Sequence, residues 1–161
     1  MKNGRLALAL LIAFLAPALP ALAQKTVIVV RHGEKFSDTD ERLTEAGQAR
    51  AQLLAKMLKD SGITAIFSTD TDRTRGTVQP VATAFKQQVR IYDNPAALIA
   101  TLRRDHANDV VLVAGHSNSV PVILKMLGCA DDITIEAQEY DNLFVVVPKA
   151  DRTATLVRLR Y

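Results

Sequence analysis

Residues 26–35 read TVIVVRHGEK, and residues 109–117 read DVVLVAGHS. Each is a continuous apolar run that stops abruptly at glycine, histidine and polar residues. A strand covered on both faces reads as an unbroken apolar run, whereas a strand with one wet face alternates. Both runs therefore predict central strands of a sheet with helices above and below. Working outward, helical spacing alternates with further strand-like runs. LTEAGQARAQLLAKMLKDSG places apolar residues at 46, 49, 53, 54 and 57, with Thr44 as N-cap and Gly62 as the stop. ITAIFST reads as a second strand, and Asp72 to Lys86 as a helix that Pro80 should kink or break. VRIYD is a short third strand, Asn94-Pro95 opens a helix to about Arg104, and SVPVILKMLG is a short helix with Pro121 in its first turn. NLFVVVP and TATLVRLRY, joined by Lys149 to Arg152, suit an antiparallel edge hairpin, with Leu156, Arg158 and Arg160 alternating against Val157 and Leu159 as one wet face. The expected fold is α/β: a three-layer sandwich of an open, mainly parallel sheet with helices on both faces and an antiparallel C-terminal hairpin.

The first 23 residues are read apart from this fold. Lys2 and Arg5 precede an apolar run from Leu6 to Ala16, followed by Pro17, Pro20 and Ala21-Leu22-Ala23. That order is the anatomy of a cleavable secretory signal, so the mature chain is expected to begin at Gln24, in the periplasm or outside the cell. The alternative is an uncleaved anchor, but the apolar run is short of the ~20 residues of a membrane span. Residues 24–161 are expected to form one domain without stable membrane association. The net charge of +3 includes Lys2 and Arg5, so the mature part is nearly neutral and nothing in it argues for nucleic acid. Cys129 is the single cysteine, which excludes an internal disulfide, and it reads as a small residue at a helix end.

Ligands of open α/β sheets bind beyond the carboxyl ends of the strands. Arg31, His32 and Glu34 stand there after the first strand. Ser68, Thr69, Asp70, Arg73 and Arg75 follow the second, Asp93 the third, and Gly115, His116, Ser117 and Asn118 the fourth. Two of the three histidines thus fall on one edge, each beside a glycine; the third, His106, lies in a polar turn and reads as solvated. Alone, a strand-end histidine is more often a structural residue, and a lone arginine a surface ion pair. Two of each converging make a concentrated positive site. Guanidinium forks match phosphate oxygens, and imidazole is an available nucleophile. Gly33 and Gly115 would let the backbone approach a ligand.

VVRHGEK, STDTDRTRGTVQP and VLVAGHS, in that order, resemble the histidine phosphatase superfamily, in its phosphoglycerate-mutase-like branch. RLTEAGQARAQLLAKML resembles the first helix of that family, and the likeness spans about Thr26 to Leu127. The resemblance implies that His32 is the nucleophile and forms a phosphohistidine. Arg31 and Arg73 would bind the phosphoryl oxygens, and His116 would be the second pocket histidine. Fixed positive charge stabilises a phosphoryl transition state, and neighbouring arginines favour the neutral imidazole that attack requires. Many relatives carry a glutamate between the second and third motifs as proton donor to the leaving oxygen. Here no glutamate lies between Arg73 and His116. Asp93 is the favoured substitute and Glu34 its rival.

Arg75 and Arg42 read as surface charges, and Glu139-Tyr140-Asp141 as a possible pocket rim. Ser117 lacks the G-x-S-x-G setting of a serine nucleophile, and no spaced set of three or four ligands suggests a catalytic metal or other cofactor. The expected activity is metal-independent hydrolysis of a small phosphorylated substrate. A phosphoglycerate-mutase-type phosphotransferase, a phosphohistidine-protein phosphatase and a non-catalytic phosphate-binding module of the same fold are the alternatives.

Overall fold

The computed structural model describes residues 26–161. The expected signal at residues 1–23 and the cleavage point before Gln24 lie outside the described residues. Ten elements follow in order: β1 (Thr26–Arg31), α1 (Glu45–Met57), β2 (Ala65–Ser68), α2 (Asp72–Phe85), β3 (Val89–Ile91), α3 (Pro95–Asp105), β4 (Val110–Gly115), α4 (Ser119–Met126), β5 (Asn142–Pro148) and β6 (Ala154–Arg160). They build one six-stranded sheet in the order β3-β2-β4-β1-β5-β6. The first four strands run parallel, and β5 pairs antiparallel with β1 and with β6.

The two long apolar runs occupy the middle of the sheet because both of their faces are covered. Val27 and Val29 pack with Leu98, Ile99 and Leu102 of α3 and Val120, Ile123 and Leu124 of α4. Their neighbours Ile28 and Val30 pack on the opposite face with Leu54 of α1 and Val78, Val81 and Ala82 of α2. This is the expected three-layer arrangement. Side-chain caps fix two of the helix starts. Thr44 accepts from the Gly47 amide at 3.2 Å and Asn94 from the Ala97 amide at 2.9 Å.

Three expectations need correction. α2 runs unbroken through Pro80, held between buried Val78 and Val81; tertiary packing overrides the local penalty of proline. The edge strand β6 is not dry on one face: Val157 and Leu159 are 45% and 44% exposed, because β6 is the last strand of the sheet. His106 is not solvated. Its side chain is mostly buried, with its ring paired to Asp109 and 3.2 Å from Nη1 of Arg90.

Register decides what meets at the carboxyl edge. Arg31 of β1 lies opposite Gly115 of β4, and the His32 amide donates to the Gly115 carbonyl at 2.9 Å. His32 and His116 are therefore neighbours across two adjacent strands. Ser68 of β2 lies opposite Ala114 on the other side of β4, which brings Thr69 and the start of α2 beside His116. No helix among the described residues is long and apolar enough to cross a membrane.

Candidate active site

His32 forms the floor of the cluster and is only 4% exposed. Its Nδ1 lies 2.8 Å from the Gly33 carbonyl oxygen. A carbonyl only accepts, so Nδ1 carries the proton and Nε2 keeps its lone pair. Burial pushes the imidazole down to about 4. The Gly33 hydrogen bond works in the other direction, and the charges of Arg73, Arg31 and His116 reinforce the lowering. At neutral pH His32 is thus an uncharged base with a free nitrogen, which is the state a nucleophile needs.

His116 stands 5.4 Å from His32, ring centre to ring centre, nearly edge-on. Its Nδ1 lies 3.4 Å from Nη2 of Arg73, which can only donate, so the proton is on Nε2. Nε2 then donates to Oγ1 of Thr69 at 2.9 Å, and Thr69 donates to Thr74 at 2.9 Å. Burial, with Arg73 next, lowers the imidazole below its ordinary range. In this arrangement His116 positions Arg73. Direct donation from Nε2 to a phosphoryl oxygen would take that proton off Thr69.

The two arginines differ in how they are held. Nη1 of Arg31 donates to the carbonyls of Glu136, Ala137 and Glu139 at 2.8, 3.0 and 3.2 Å, and its guanidinium carbon sits 4.2 Å from the Tyr140 ring centre. Arg31 therefore ties the 127–141 connection over the pocket, and Tyr140 comes within 5.9 Å of the His32 ring. Arg73 enters from the first turn of α2, where the helix N-terminus adds positive potential. Its Nη1 pairs with the Glu41 carboxylate. The Nε atoms of both arginines are buried without an acceptor. Each unpaired donor costs about 1–3 kcal/mol, more when charged.

Thr77 joins the first two motifs. Its hydroxyl accepts from the Gly33 amide at 2.8 Å and donates to the Arg73 carbonyl at 2.8 Å. The glycines also make room for close protein contacts. A Cβ on Gly33 would lie 3.1 Å from the Gly47 carbonyl oxygen, and one on Gly47 only 2.3 Å from that of Glu34. A Cβ on Gly115 would meet Ser119 Oγ at 2.8 Å and Tyr92 Oη at 2.9 Å. These glycines admit protein neighbours, the start of α1 above all.

The structure thus brings together Arg31, His32, Arg73 and His116, and it does not bring Asp93 to them. Asp93 is exposed beyond β3, in a groove with Phe67, Arg90, Ile91 and Ala97 that none of the four lines. Two strands separate β3 from β1, a spacing of about 14 Å. Glu34 is near but committed. Nη2 of Arg50 donates to it at 2.6 Å and Nε at 2.9 and 3.1 Å, and these bonds hold its carboxyl below the ordinary range. Arg75 pairs with Asp70 and Asp72, and Arg42 with Asp40, as surface charges do. Cys129 is buried, and burial raises its thiol. No group of three or more metal-ligating side chains occurs among the described residues.

Glu41 escaped the sequence reading. It lies in a short loop whose fold-back depends on the Lys35–Leu43 bridge and the 3.2 Å bond from the Phe36 amide to the Arg42 carbonyl. Glu41 lies outside the stretch between Arg73 and His116 and is seven residues past Glu34; the shortness of the DTDERLT segment, which keeps its carboxylates near the motif, is the available signal.

The sequence matches the family model for the histidine phosphatase superfamily (branch 1) over residues 27–96. No curated protein sequence matches it. Among solved structures, the protein histidine phosphatase SixA complexed with tungstate superposes with a TM-score of 0.69 at 18% identity, over 84% of this chain and 96% of that one. Phosphoserine phosphatase from Entamoeba histolytica, in complex with 3-phosphoglyceric acid, gives 0.67 at 15% identity, covering 85% and 97%. A mycobacterial glucosyl-3-phosphoglycerate phosphatase complexed with VO3 gives 0.61 at 14% identity, covering 84% and 98%. At these identities the likeness is one of fold.

Proposed function

We propose that the chain is a metal-independent phosphatase of the histidine phosphatase superfamily, whose branch 1 model matches residues 27–96, and that it hydrolyses phosphomonoesters through a phosphohistidine on His32. The observation that carries this reading is the state of His32: buried, neutral, with Nδ1–H held by the Gly33 carbonyl, Nε2 left with its lone pair, and the charges of Arg73 and Arg31 acting on the ring. Nε2 attacks phosphorus while Arg31 and Arg73 hold the equatorial oxygens, and the fixed cations stabilise the charge that spreads over them. Nδ1–H keeps its carbonyl throughout, so the developing imidazolium is stabilised at the nitrogen away from phosphorus. Water then attacks the phosphohistidine and releases inorganic phosphate.

The structural neighbours are named for a histidine-phosphorylated protein, phosphoserine and a phosphorylated sugar acid conjugate. Their shared feature is the phosphoryl dianion, and the substrate proposed here is a phosphorylated small molecule of that chemistry. Its setting is proposed to be periplasmic or extracellular, on the strength of the leader read at residues 1–23. The test is phosphate release from an aryl phosphate by the purified protein in excess chelator. Release that survives the chelator and disappears in His32→Ala supports the reading; release that needs added metal, or that persists in His32→Ala, overturns it.

A further inference from the structure

We propose that Glu41, delivered by the loop between β1 and α1, is the catalytic proton donor to the leaving oxygen. The inference rests on the phosphohistidine reading above and adds the residue that reading lacks. An alkoxide is a poor leaving group, so cleavage of an alkyl phosphate needs a carboxyl group within reach of the ester oxygen. The partners of the nearby carboxylates narrow the choice. Arg50 holds Glu34, Arg160 holds Glu139 and Asp141, Arg75 holds Asp70 and Asp72, Lys35 holds Asp38, and Arg42 holds Asp40. Glu41 is paired with a pocket arginine, Arg73.

Placement favours it as well. Arg73 reaches Glu41 through Nη1 and His116 through Nη2, so the carboxylate lies one guanidinium away from His116, whose ring centre is 5.4 Å from that of His32. His32 is buried, whereas the Glu41 side chain is 39% exposed. A phosphorus atom attacked in line by a buried imidazole expels its leaving oxygen away from it, toward the solvent side on which Glu41 is exposed. The pairing with Arg73 also links protonation to binding. A phosphoryl dianion that takes Nη1 of Arg73 displaces the carboxylate and sets two like charges side by side. The carboxyl released from Arg73 can then carry a proton from solvent to the ester oxygen.

The step then balances. The lone pair on Nε2 of His32 forms the N–P bond, the P–O ester bond breaks with its electrons going to the leaving oxygen, and that oxygen takes the Glu41 proton to depart as the alcohol. In the second half, the Glu41 carboxylate takes a proton from water as the water oxygen attacks phosphorus. The P–N electrons return to Nε2, and inorganic phosphate leaves.

Glu41→Gln keeps the size and removes the proton. Turnover of glycerol phosphate should fall about 10²–10⁴-fold, the usual worth of a positioned acid. Turnover of p-nitrophenyl phosphate, whose leaving group departs without a proton, should fall less than about tenfold. The aryl rate also reports folding, since a misfolded variant loses both activities together. An unchanged alkyl-to-aryl ratio in Glu41→Gln, at any absolute rate, overturns the role of Glu41 while leaving the phosphohistidine reading intact. A wild-type protein inactive on both esters, or an active His32→Ala, overturns both.

Discussion

Keeping His32 neutral should make the protein acid-sensitive by an amount that the structure sets. In the unfolded chain the imidazole takes its proton near the ordinary 6.5; in the folded protein it does so only near 4. Between those values the unfolded state binds more protons, so stability rises with pH across the window. The contribution is complete above about 6.5 and is lost as pH falls toward 4. The gap corresponds to about 3 kcal/mol, at 1.36 kcal/mol for each tenfold change in proton affinity. His32→Gln carries no titrating group but keeps an amide donor for the Gly33 carbonyl. Urea unfolding at pH 7 and at pH 4 should therefore show wild-type protein losing about 3 kcal/mol more than His32→Gln. In thermal melts the same difference is about 10 °C for a chain of this size. His116 titrates in both proteins and cancels to first order. Nitrogen-detected NMR gives the direct form of the test: His32 should show protonated Nδ1 and bare Nε2 at pH 7, with a midpoint near 4. Equal acid sensitivity in the two proteins, or a His32 midpoint near 6.5, would refute the argument that burial holds the nucleophile in its reactive state.

Two further outcomes follow from contacts that join the motifs. Thr77→Val keeps the shape but strands the buried Gly33 amide; it should cost about 1–3 kcal/mol in urea unfolding and lower kcat for an aryl phosphate, because Gly33 and Arg73 lose their shared hydroxyl. Stability and kcat both unchanged would show that the bridge is idle. Gly47→Ala places a methyl 2.3 Å from the Glu34 carbonyl oxygen and should destabilise by about 1–3 kcal/mol as α1 moves off the first loop, although alanine is the better helix former. A gain in melting temperature would mean that this close approach is not a constraint.

The fold was legible where burial writes directly into the sequence. TVIVV and VVLVA are continuous because α1 and α2 cover one face of β1 and β4 and α3 and α4 the other. Arg31, His32, Arg73 and His116 were legible because β1 and β4 end, and α2 begins, at or beside them, and resemblance supplied their expected roles. The misses concern contacts between distant parts of the chain. The three carbonyls that take Nη1 of Arg31 lie more than 100 residues away. Gly33 and Thr77 are 44 residues apart. The close approach of Gly47 to Glu34 shows only once α1 is seated on the first loop. Glu41 depends on a loop that folds back on itself, and loop register carries no periodic signal. Asp93 follows a strand and so reads as a site residue, but β3 sits at the far edge of the sheet, and the strand order that puts it there is not written in any local pattern.

The central claim is that phosphorus is transferred to Nε2 of His32, and trapping the phosphoenzyme tests it most directly. Protein mixed with a labelled aryl phosphate and quenched in mild alkali should carry a phosphoryl group that survives base and is lost in acid, as a phosphoramidate is. Mass mapping should place it on the peptide containing His32, and His32→Ala should carry neither label nor turnover. A base-labile or acid-stable label, a label on His116 or Ser117, or full turnover without His32 would contradict the account.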